Sequence, residues 1–175
     1  MTETGLERTG AFVNTLDVEH GSDELATPES LADWFATHVG PVGAATSADV
    51  GRAATMREAL RAHLLANNGA ELPPSAAAAL DRQARRSRVH LGFGPGGAEL
   101  HPSTEGVDAA LGRILADVSS AMADGSWGRL KACRADDCRW AFVDRSRNGS
   151  RQWCAMGVCG NRAKVRRYRA RRGTG

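Results

Sequence analysis

The chain has 175 residues, 42% of them hydrophobic and 25% charged, the size and balance of one globular domain or of one domain carrying a small module. No apolar run approaches the roughly 18 residues of a membrane-spanning helix, and the start MTETGLERTG lacks the apolar stretch of a signal peptide, so a cytoplasmic protein with no membrane partner is expected. The net charge of +3 is divided: residues 1–128 hold 9 Arg/Lys against 17 Asp/Glu, and residues 129–175 hold 14 against 3. The first part is too acidic to meet a polyanion, and the second is hard to explain without one. Abundant Gly, Ala and Arg, with Lys131 and Lys164 the two lysines, fits a GC-rich bacterial genome.

In chain order, Ala11–Leu16 is short and partly apolar and reads either as a strand or as the start of a helix. Thr27-Pro28-Glu29 opens a helix: the threonine caps free amides, proline suits the first turn, and the glutamate favours the positive dipole end. Leu31, Trp34, Phe35 and His38 then recur at helical spacing until Gly40-Pro41. A second helix is expected over about 47–68, with Val50, Ala53, Met56, Leu60 and Leu64 as its apolar stripe. Pro73-Pro74-Ser75 opens a third, with Ala76–Ala79 and Leu80 inside. Val89, Leu91 and Phe93 alternate like a strand, and Gly94-Pro95-Gly96-Gly97 turns the chain toward a partner strand at Ala98–His101. A longer helix over about 104–124 carries Val107, Leu111, Ile114, Leu115, Val118 and Met122. Composition shifts near 125–129.

All four cysteines follow that boundary, as Cys133, Cys138, Cys154 and Cys159 in the pattern C-x4-C-x15-C-x4-C. Two close pairs joined by a hairpin-length segment suit one tetrahedral metal, each pair gripping it from one turn. Two disulfides are the competing reading, disfavoured in a reducing compartment. Four thiolates leave no open position for water, so one structural Zn2+ is predicted rather than a catalytic one. Lys131, Arg134 and Arg139 are expected to offset the charge of the tetrathiolate. Trp140, Phe142, Val143, Trp153, Met156 and Val158 are read as a mini-core around the metal; base stacking on an exposed Trp153 is the alternative.

Two basic stretches flank the later ligands. A loop with an Asn148-Gly149 turn presents Arg145, Arg147 and Arg151 beside Ser146 and Ser150, groups suited to phosphate oxygens. A helix from Asn161 follows, with Arg162, Arg166 and Arg169 on one flank and Lys164, Arg167 and Arg171 on the other. Asn161, Val165 and Tyr168 form a stripe expected to dock on the metal mini-core. A solvated charged tail is the plain alternative, and Gly173-Thr174-Gly175 is expected to fray.

Trp140-Ala141-Phe142-Val143-Asp144-Arg145-Ser146-Arg147-Asn148, Arg151-Gln152-Trp153-Cys154 and Cys159-Gly160-Asn161-Arg162 together resemble the CGNR zinc finger, a bacterial family named for the last four residues. Phe12-Val13-Asn14-Thr15-Leu16, Leu25-Ala26-Thr27-Pro28-Glu29, Leu31-Ala32-Asp33-Trp34 and Arg57-Glu58-Ala59-Leu60 more loosely resemble the ABATE domain that usually precedes it. The resemblance implies a stress-induced transcription regulator, with the four cysteines as zinc ligands. The expected fold is mainly α: a helical domain over 1–126 with a small β-hairpin, then a treble-clef-like or ribbon zinc module over 127–175 ending in a basic helix.

The expected function is nucleic-acid binding, DNA favoured over RNA, through Arg145, Arg147, Asn148, Arg151, Arg162, Lys164, Arg166, Arg167, Arg169 and Arg171. Arg162 is the candidate base reader. The helical domain is expected to dimerise or to sense a small-molecule effector. RNA binding and a protein-interaction role for the basic module are the alternatives. No enzyme is expected: the five histidines are scattered, and neither a phosphate loop nor a nucleophile motif is visible.

Overall fold

Threonine opens three of the helices. Thr4, Thr27 and Thr46 each accept a hydrogen bond from the amide three residues on, and their own amides donate to the side chains of Glu7, Ser30 and Asp49. These capping boxes satisfy amides that the first turn leaves unpaired. They start α1 (Gly5–Asn14), α2 (Pro28–His38) and α3 (Ser47–Ala66). The computed structural model describes residues 4–95 and 97–172, except the side chains of Arg167, Arg171 and Arg172. The expectations for Gly96, for the side chains of Arg167 and Arg171, and for residues 173–175 lie outside the described residues.

The ambiguous segment at 11–16 resolves as the end of α1 followed by a two-residue strand. The helix starts at the Thr4 cap, upstream of that segment, and Leu16–Asp17 (β1) pairs with Ser22–Asp23 (β2). Then come α4 (Pro74–Arg86), the antiparallel hairpin of β3 (His90–Gly94) and β4 (Gly97–His101), and α5 (Gly106–Ala123). The chain continues through a short turn at Trp127–Arg129 into β5 (Leu130–Ala132) and β6 (Ala141–Val143), which pair antiparallel. A wide turn over Met156–Gly160 leads into α6 (Asn161–Arg172). The fold is mainly α, about 54% helical, with small hairpins.

One core collects Phe12 and Val13 from α1, Leu31, Trp34 and Phe35 from α2, Met56, Leu60 and Leu64 from α3, and Leu111, Ile114 and Val118 from α5. Phe12 and Trp34 lie 5.5 Å apart between ring centres, and Trp34 meets Phe35 edge-on at the same distance. Met122, expected in the α5 stripe, is exposed, and Ala121 is buried in its place. The β3–β4 hairpin alternates as expected, yet Leu91 and Phe93 face solvent rather than the core.

The core does not stop at the composition shift. Trp127, Leu130, Ala132 and Ala141 belong to the same buried cluster as Phe12 and Leu60. Polar side chains of the helices also fasten the β5–β6 ribbon. The Asn67 amide donates to Trp127 O and Leu130 O at 2.9 and 3.0 Å, and Asn68 donates to Ala132 O and Gln152 O at 2.8 and 3.0 Å. Asn14 exchanges two hydrogen bonds with the Ala141 backbone. Buried Arg61 donates to Val13 O and Arg139 O, both at 2.8 Å.

Candidate metal centre and nucleic-acid interface

The β5–β6 ribbon ends where Cys133 begins: its amide donates to Trp140 O at 2.9 Å. Between them the chain makes a tight knuckle in which the Cys138 and Arg139 amides both donate to Ala135 O. Arg139 takes a left-handed conformation, φ 57°, an unfavourable one for a side-chain-bearing residue, and its carbonyl is held by Arg61. The second pair comes from a different device. Cys154 lies in the loop after the basic hairpin, and Cys159 sits in the wide turn that starts α6.

The four sulfurs lie within 4.8 Å of one another, with Cys138–Cys154 at 3.6 Å and Cys154–Cys159 at 3.7 Å. A zinc tetrahedron with Zn–S of about 2.3 Å has sulfur–sulfur edges of about 3.8 Å. A disulfide needs about 2.05 Å. The donor set and spacing therefore fit one structural zinc ion held by Cys133, Cys138, Cys154 and Cys159, with no fifth position. Without the ion, burial pushes the Cys138 thiol up to about 11 and raises Cys154 further. Burial acts the same way on Cys159, but a hydrogen bond from Arg162, with the neighbouring thiols, holds it below the ordinary thiol value.

Arg162 is the cation at the sulfurs, its guanidinium 3.5 Å from Cys159 Sγ. The three residues expected to offset the charge have other partners. Lys131 is buried and pairs with Asp144 at 2.9 Å, Arg139 pairs with Asp136, and Arg134 reaches Gly69 O. The expected mini-core is also smaller. Ala135 and Trp153 pack on the cysteines, whereas Ala141 and Val143 join the main core. Trp140, Met156 and Val158 are exposed, and so are Val165 and Tyr168, so the α6 stripe does not dock on the metal. Trp153 is half-buried against the cluster rather than presented for stacking.

The basic loop is shaped from inside by Asp144, which is 1% exposed. Its carboxylate accepts from Lys131 Nζ, from the Ser146 amide and hydroxyl, and from the Arg151 amide. Burial alone would raise this carboxyl; the Ser146 hydroxyl and Lys131 reverse that and hold it well below the usual range. Gly149, at φ 58°, closes the turn after Asn148. Arg151 lies over the Phe142 ring at 5.2 Å and donates to Cys154 O at 2.7 Å, so it braces the loop. Arg145 faces Glu7 at 3.4 Å.

The family model of the CGNR zinc finger matches residues 129–172, and the ABATE model, "Putative stress-induced transcription regulator", matches residues 10–125. The chain belongs to the ABATE family. A search of the curated proteins finds no match. Each residue of the Cys159-Gly160-Asn161-Arg162 run has a visible task in this ABATE protein. Cys159 is a ligand. Gly160 lies where a Cβ would displace Met156 Sδ and come within 3.3 Å of Trp153. Asn161 donates to Gly157 O at 3.0 Å across the turn. Arg162 links Cys159 to Glu19 at 2.9 Å and Asp137 at 3.5 Å.

The expected nucleic-acid residues thus fall into two groups. Arg151, Arg162, Arg166 and Arg145 have partners within the chain, Arg166 with Asp137 at 3.3 Å. Arg147, Lys164 and Arg169 are exposed and, among the described residues, take part in no ion pair; Asn148 is exposed beside them in sequence. Among the described residues no helix is long and apolar enough to cross a membrane.

Proposed function

We propose that this zinc-containing regulator binds duplex DNA, with the loop at 145–151 and α6 as its phosphate-contacting elements. The observation that carries the reading is the trio Arg147, Lys164 and Arg169: exposed, without acidic partners among the described residues, Arg147 in the loop that leads to Cys154 and the other two on the helix that follows Cys159. Exposed guanidinium and ammonium groups release counterions when they meet phosphates, which favours association. A 12-residue helix about 18 Å long is of a size to lie in a major groove. The metal fixes its first turn, so the entropy of ordering the arm is largely spent before binding.

In this reading Arg162 acts differently from Arg169. Arg162 reaches a guanine edge only by exchanging Glu19 and Asp137 for it, whereas Arg169 is available to any phosphate. In a mobility-shift assay with zinc present, Arg169→Ala should weaken all duplexes alike, and Arg162→Ala should change the preference among sequences. Tighter binding to duplex or hairpin RNA than to DNA would move the assignment to RNA, and absence of binding to any duplex at low salt would remove it.

A further inference from the structure

Where α1, α2 and β6 meet, the surface opens into a cleft of about 470 Å³, within the range of small-molecule sites. Its aromatic lining comes from both matched segments: Trp34 from α2, and Trp140 and Phe142 from the ribbon. Trp34 is locked in place, stacked on His38 at 4.4 Å and packed on Phe12 and Phe35. Trp140 is 39% exposed, on the opposite side of the chain from buried Ala141. Among the described residues the ionisable groups on the lining are the carboxylates of Glu7 and Glu24 and the His38 imidazole, with no Lys or Arg. Glu7 already caps α1 and faces Arg145. Glu24 is exposed and, among the described residues, forms no ion pair.

Aromatic faces present negative charge to a cation, and a nearby free carboxylate adds to it; the same lining repels an anion. We propose that this cleft binds a small organic cation, an ammonium or amidinium group carried on an apolar body, with Trp140 offering the ring face and Glu24 the counter-charge. Trp140 is also the residue whose carbonyl holds Cys133, so a ligand on its ring touches the strand that leads into the metal knuckle. The inference stands on the cleft alone and does not depend on nucleic-acid binding.

The test is a titration of the zinc-loaded full chain with benzyltrimethylammonium, followed by tryptophan fluorescence, with benzoate as the anionic comparison. Saturable quenching by the cation and none by benzoate is expected. Glu24→Gln should weaken binding about threefold, the scale of an exposed ion pair, while Glu71→Gln, which is not on the lining, leaves it unchanged. Trp140→Leu should abolish it. Equal binding of benzoate, no saturable response, or an affinity indifferent to Glu24→Gln would overturn the proposal.

Discussion

Asp144 and Lys131 lie out of solvent together, with side-chain exposures of 0% and 6%, and the loop is built around them. In the sequence both look like ordinary surface charges, one in a basic run and one beside a cysteine, and nothing in their spacing pairs them. The cysteines were legible because four ligands in two close pairs have few other uses. Breaking a buried pair leaves a bare charge, so Asp144→Asn should destabilise the chain by about 3–5 kcal/mol at neutral pH, read as a lowered urea midpoint. The depressed carboxyl also sets a direction with pH. Its stabilisation is complete above the ordinary aspartate value near 3.9 and is lost as pH falls through the lower folded value. Urea midpoints between neutral pH and about pH 3 should fall more steeply for the native chain than for Asp144→Asn; parallel slopes would count against the pairing.

At the level of elements, α2, α3, α4 and α5 could be read from caps, stripes and breakers, because those signals are local. What was misread depends on contacts distant in sequence. The aromatic residues after Cys138 looked like a metal mini-core, yet the ribbon spends Ala141 and Val143 on the helical core and turns Trp140 out. The α6 stripe at Val165 and Tyr168 stays exposed, while Arg162 and Arg166 on the same helix pair with Glu19 and Asp137. Asn67 and Asn68, read as a helix ending, hold the ribbon. Asn68→Ala strands two carbonyls, one of them at buried Ala132, and should cost about 1–3 kcal/mol in chemical denaturation. If Glu19 competes with phosphate for Arg162, Glu19→Gln should tighten DNA binding; weakened or unchanged binding would show that this contact only positions α6.

Over the whole molecule, two sequence families meet near residue 126, but Leu130, Ala132 and Ala141 share a core with Phe12 and Leu60. The finger and helices should therefore unfold in one cooperative transition, and removing zinc with a chelator should lower its midpoint rather than split off a separate finger transition. Calorimetry with two well-separated peaks in the zinc-loaded chain would refute this. The charge division, −8 before residue 129 and +11 after it, was plain in the sequence. Which cations remain unpartnered was not, because Glu7, Glu19 and Asp137 come from other parts of the chain. The most direct test is the salt dependence of binding of the zinc-loaded full chain to a duplex DNA, measured by fluorescence anisotropy. With six phosphate contacts the slope of log K against log salt should be about −5, and Arg147→Ala/Lys164→Ala/Arg169→Ala together should make it shallower by about 3. A slope unchanged by the triple substitution, or no binding at low salt, would contradict the account.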